Sequence, residues 1–111
     1  METTTQIRTL NDTFRQTLNN HLGLLVITSG VTALGSTAVA TLVQSLRQFS
    51  DFTPDNDPYG EHDFGTLKLG AQRIFWKIDY YSDATCTWGS EAPHDPEQSY
   101  RVLTLMLAEE Y

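Results

Sequence analysis

Gly70 and Ala71 interrupt two strand-like runs, residues 63–69 and 72–81, and this pair constrains the chain more than any other feature. A glycine at the first position of a two-residue loop suits a type II′ hairpin. If Leu69 pairs with Gln72, every other pair follows, because side chains alternate between the two faces of a strand. Leu67 then faces Ile74, Gly65 faces Trp76 and Asp63 faces Ile78 on one side. Phe64 faces Lys77 and His62 faces Asp79 on the other. Gly65 has no side chain, so the indole of Trp76 has room to fold across the neighbouring strand. The first face is expected to be core and the second partly wet.

The flanking sequence supplies elements to cover this ribbon. Ile7, Leu10, Phe14 and Leu18 recur at helical spacing, with Thr3 to Thr5 offering hydroxyls for the first turn. The stripe either docks on the sheet or forms a dimer seam. Gly23 introduces Leu24, Leu25, Val26 and Ile27, an unbroken apolar run that reads as an inner strand covered on both faces. Ser36 opens a second helix with Val39, Leu42, Val43, Leu46 and Phe49 on its buried side. Pro54 and Pro58 impose a loop, and residues 82–96 form another. Asp95 and Pro96 resemble a cap and first turn, and Val102, Leu103, Met106 and Leu107 would be the buried face of a last helix. The expected fold is a single α+β domain over residues 1–111 in the order α-β-α-β-β-α. A small antiparallel sheet, one buried strand plus a hairpin, packs with three helices.

Charge narrows the function classes. The net charge is −7, and residues 51–99 alone hold ten acids against three bases. Such a field repels nucleic-acid phosphates and attracts a basic protein surface or a cation. No apolar run reaches the length of about 18 residues that a membrane span needs, and the stretch Met1 to Asn20 is polar and helical in pattern, without the apolar block expected of a signal peptide. With Cys86 as the one cysteine there is neither an internal disulfide nor a thiolate cluster. The expected location is the cytoplasm, with no membrane contact and no cofactor.

Asp55, Asp57, Glu61, His62 and Asp63 fall within nine residues, in the run from Asp55 to Gly65. This run, the segment Phe75 to Tyr81, Gly89-Ser90 followed by Asp95-Pro96, and the segment Arg101 to Tyr111 together resemble the bacterial family termed domain of unknown function 3768. The likeness extends from about Asn11 to the last residue. It implies a bacterial protein of the kind carried by alphaproteobacteria, their plasmids or phages, and carries no activity with it. Cys86, Thr87, Trp88 and Glu91 to His94 depart from the more uniformly Asp- and Pro-like loop that the resemblance implies.

Three readings of the acidic run compete. As a cation site, Asp55, Asp57 and Glu61 offer hard oxygen ligands, but Thr66 stands where a calcium loop needs its bidentate Glu, and Pro58 stiffens the chain. As a catalytic site, His62 would be a general base oriented by Asp79 across the hairpin, with Lys77 or Tyr81 assisting. As a structural loop, its Asp and Asn side chains would accept backbone N–H bonds while Tyr59 and Phe64 pack beneath. The leading functional expectation is a non-enzymatic binding protein that presents Asp55, Asp57, Tyr59, Glu61, Asp63 and Trp88 to a basic, nucleic-acid-binding partner. An inhibitor of the anti-CRISPR or anti-restriction type has this character. The alternative is a small hydrolase-like or metal-dependent enzyme centred on His62 and Asp79.

Overall fold

The computed structural model describes residues 2–111 and leaves Met1 outside the described residues. In chain order the elements are α1 (Thr3–Thr17), β1 (Gly23–Ile27), a one-turn α2 (Ser29–Thr32), α3 (Ser36–Arg47), β2 (Phe64–Leu69), β3 (Gln72–Tyr81) and β4 (Tyr100–Leu107). A 3-10 turn at Ala108–Glu110 follows. The four strands form one sheet in the order β1-β4-β3-β2. The hairpin has the register its sequence dictates, with Leu69 opposite Gln72, Leu67 opposite Ile74, Gly65 opposite Trp76 and Phe64 opposite Lys77. Gly70, at φ 61°, supplies the left-handed turn residue. Among the described residues no helix is long and apolar enough to cross a membrane.

The α+β class stands, but the sheet corrects two expectations. Tyr100–Leu107 is a strand, not a helix, and it lies in the middle of the sheet, parallel to β1 and antiparallel to β3. The sheet is therefore mixed, with four strands, and the order is α-β-α-α-β-β-β. Arg101, Leu103 and Leu105 are all fully buried, so β4 alternates with period two. Arg101 concealed that alternation, because a charged residue stands at a core position. Asp95 does cap, but only a turn: its carboxylate accepts the Glu97 N–H at 2.9 Å and its carbonyl accepts from Gln98 N (3.0 Å) and Ser99 Oγ (2.7 Å). The second correction is β1, which is an edge strand. Its Leu24 and Val26 point to solvent, 49% and 36% exposed, rather than into a layer of protein.

Both main helices lie over one sheet face. Phe14 of α1 and Leu42 and Leu46 of α3 meet Leu67, Ile74, Trp76, Ile78, Leu103 and Leu105 in one core. The α1 stripe thus docks on the sheet instead of forming a seam, and it contains Asn11 and Arg15, both buried, beside Ile7 and Phe14. Among the described residues the opposite face carries no helix. There Phe64, Phe75 and Tyr111 cluster with ring centroids 5.3–5.9 Å apart. Glu110 fastens the chain end by accepting from Thr28 Oγ1 (2.7 Å) and Leu107 N (2.8 Å).

Trp76 is fully buried, and its indole lies against Gly65, where an added Cβ would collide with the ring. Gly65→Ala must therefore displace the largest side chain of the core. Urea unfolding followed by tryptophan fluorescence should register a loss of about 1–3 kcal/mol, the usual cost of overpacking.

Candidate functional site

Two long connections, residues 48–63 and 82–99, meet at one end of the sheet, where β3 ends and β2 and β4 begin. Arg101 joins them. Its side chain points from the middle strand into the helical layer and is fully buried. Nη2 donates to Pro93 O of the second loop at 2.6 Å, Nη1 to Ser99 Oγ at 3.0 Å, and Nε to Asn11 Oδ1 of α1. Asn11 in turn donates to Glu61 O of the first loop (2.9 Å) and to the Tyr80 hydroxyl (2.8 Å), which donates to Glu61 Oε1 (3.0 Å). The guanidinium also stacks over the Tyr80 ring at 5.1 Å. Burial lowers the Arg101 pKa and raises that of Tyr80, since each ionised form has lost water. The charge is held by neutral acceptors, which makes each of those bonds costly to remove.

A second polar cluster lies where α1 crosses the first loop. Arg15, 2% exposed, donates to Asp12 Oδ1 (2.9 Å) and Phe49 O (3.0 Å) and sits over the rings of Phe52 and Trp76. The same Asp12 oxygen lies 2.8 Å from His62 Nδ1, and His62 Nε2 lies 3.5 Å from Asp57 Oδ2. The imidazole is stacked flat on Phe52, with centroids 3.7 Å apart and planes 2° apart. His62 adopts φ 57°, a left-handed conformation uncommon outside glycine, and Asp57 Oδ1 accepts its backbone N–H at 3.1 Å. One wall of a cleft of about 430 Å³ is formed by Arg8, Phe52, Asp57, Tyr59 and His62.

That geometry corrects the predicted His62–Asp79 pair. The left-handed turn at His62 ends the ladder one residue before it could face Asp79, and the ring swings into the helical layer. Asp79 lies on the opposite sheet face, where its Oδ2 receives Lys77 Nζ at 2.8 Å, and this bond raises the Lys77 pKa. His62, Asp79 and Lys77 therefore form no common site. The partners of His62 come from α1 and from its own loop.

The acidic run is divided between inside and outside. Asp57 is turned in on His62, with its side chain 7% exposed, and Glu61 is tied to Tyr80. Asp63 is half-buried; desolvation, followed by the nearby Glu61, raises its carboxyl pKa. Asp55 faces solvent, and so do Tyr59 (81% exposed) and Trp88 (74%). Asp55, Asp57 and Glu61 do not converge, and among the described residues no group of three such side chains could hold a metal ion. In the second loop, exposed Asp83, Glu91 and Glu97 line a trough of about 480 Å³. Residues 51–63 and 82–99 together carry nine of the fourteen acids and no Lys or Arg, so this end of the molecule is strongly negative.

The chain belongs to the DUF3768 family. That family, described as "Protein of unknown function", matches residues 27–110. No curated protein and no solved structure matches the chain. The DUF3768 span includes both loops and Arg101, whereas Asn11, Asp12 and Arg15 of α1 precede it. These three, with Arg101, are the site residues that sequence reasoning missed. Asn11 and Arg15 stand in phase with Ile7 and Phe14, as Arg101 does with Leu103 and Leu105, and polar residues in phase with a buried face were the available signal.

Asn11→Ala removes acceptor and donor from buried partners at once. Chemical denaturation should give a loss of about 1–3 kcal/mol, with faster amide exchange in residues 51–63 and 88–99. For Asp63, the folded protein holds the carboxyl pKa above its ordinary 3.8, so ionisation opposes folding. Asp63→Asn should raise Tm at neutral pH, and the gain should vanish as pH falls below that value, in thermal melts across a pH series.

Proposed function

We propose that this chain is a non-enzymatic, cytoplasmic binding protein that presents the acidic loop end of its sheet to a basic protein surface of the kind that holds nucleic acid. The observation that carries the reading is the joining of two acid-rich loops by one buried guanidinium, with Tyr59 and Trp88 left in solvent. A fixed array of carboxylates meets Lys and Arg already arranged for phosphates, and exposed aromatic rings supply apolar anchors. Solvent-facing Asp51, Asp55, Asp83, Glu91 and Glu97 replace Asp57, Glu61 and Asp63 as the contact carboxylates, because Asp57 and Glu61 are bonded within the fold and Asp63 is half-buried. Occupation of such a groove would block its nucleic acid, which is the action of an anti-CRISPR or anti-restriction inhibitor.

The test is co-purification with nuclease complexes from a bacterial host at low and high salt. Association should be lost at high salt and on charge reversal of Asp55, Glu91 and Glu97. Trp88→Ala should weaken it about tenfold or more with Tm unchanged. Absence of any partner at low salt, or binding indifferent to the reversals, would overturn the reading.

A second reading rests on His62, whose left-handed backbone and Asp12-bound ring border a cleft. An Asp–His pair of this form can act as a general acid or base. Against it, Asp57 already stands at the second ring nitrogen. His62→Gln separates the readings: a hydrolytic activity lost at unchanged Tm supports catalysis, whereas a lower Tm with binding proportional to folded protein marks a clamp between α1 and the loop.

A further inference from the structure

The two edges of the sheet are protected unequally. The β2 edge presents Thr66 and Lys68 to solvent, and a lysine on an edge strand discourages pairing with another chain. The β1 edge has no such guard. Its sequence, Gly-Leu-Leu-Val-Ile, contains no charge, no proline and no bulge, and the charge-free stretch around it runs from Gln16 to Leu46 in a chain of net charge −7.

The free hydrogen-bonding groups of this edge can be assigned. Leu22 O accepts from Arg101 N (3.0 Å) and Thr28 N donates to Leu105 O (3.1 Å), so the even-numbered residues of the segment face β4. By the alternation of a strand, Leu25 and Ile27 direct their N–H and C=O groups outward. No turn, loop or side chain among the described residues bonds them. Beside them on the helix-free face, Leu24 and Val26 are 49% and 36% exposed and lie next to Val102 and Thr104.

We propose that β1 is a homodimer seam, at which a second copy of this chain pairs antiparallel to form a continuous eight-stranded sheet. Charge selects both the occupant and the direction. Gly23 lies at the acidic end of the sheet, opposite Arg101, and Ile27 at the far end. Antiparallel pairing brings the Gly23 end of one copy to the Ile27 end of the other and points the two acidic ends to opposite poles. Parallel pairing would set them side by side. The β1 strand itself brings no carboxylate to the seam, the nearby Glu110 being bonded within its own chain to Thr28 Oγ1 (2.7 Å) and Gly30 N (3.3 Å), and the two-fold axis closes the assembly at two copies. With the axis at Leu25, the outward groups of Leu25 meet their own copy, and Gly23 pairs with Ile27, its carbonyl keeping the Tyr100 hydroxyl (3.1 Å) as a second donor. Leu24 then faces Val26 across the seam on the open face, which covers both exposed side chains.

Sedimentation equilibrium and amide exchange on the full chain test this across a dilution series. The wild-type chain should approach twice its monomer mass at high concentration, with protection at Leu25 and Ile27 that fades on dilution. Leu24 and Val26 should be protected throughout by β4. Leu24→Lys with Val26→Lys places lysine against lysine and should weaken the dimer at least tenfold. Leu24→Lys with Val26→Glu places opposite charges together and should restore it. Circular dichroism melts of both double variants confirm that the fold survives. A wild-type chain that stays monomeric at every concentration, a dimer indifferent to the lysine pair, or an edge that takes only an unrelated extended peptide would each overturn the proposal.

Discussion

The buried guanidinium of Arg101 is the interaction on which the acidic end of this protein depends. It leaves the middle strand, bonds α1 through Asn11 and the second loop through Pro93, and reaches the first loop through Asn11 and Glu61. None of these acceptors carries a charge. Its desolvation is therefore offset by hydrogen bonds and by the Tyr80 ring, and the loss of any one of them leaves a polar group dry. Two long loops that would otherwise wander are fixed to one helix and one strand in this way.

The same constraint explains why the acidic run has two characters. Carboxylates close to the anchored backbone, at Asp57 and Glu61, take up hydrogen bonds from His62 and Tyr80. Those on the outer turns, such as Asp55 and Glu91, have no such task and remain in water. His62 lies at the boundary, stacked on Phe52 and held by Asp12, which also carries Arg15. A ring so held ties α1 to the loop whatever chemistry it performs.

Sheet architecture and surface charge follow from one another. Both main helices cover a single face, so the other keeps Leu24 and Val26 on one side and the Phe64, Phe75 and Tyr111 cluster on the other. Fourteen acids against seven bases leave few surfaces on which like molecules can meet, and the uncharged β1 edge is one of them.

What the sequence determined by itself was local. The hairpin register followed from Gly70 and from the space that Gly65 leaves for Trp76; the two main helices followed from apolar spacing, and the loops from proline and glycine. The DUF3768 resemblance and the acidic middle were also legible there; the exposure of Tyr59, which the structural reading of the loop packed beneath it, was not. Tertiary structure alone decided that Tyr100–Leu107 is the central strand, because β4 is stabilised by neighbours on both sides that its own periodicity does not name. It placed β1 at an edge for the same reason. It also gave His62 to Asp12 rather than Asp79, since residues fifty apart in sequence are brought together only when α1 docks over the loop.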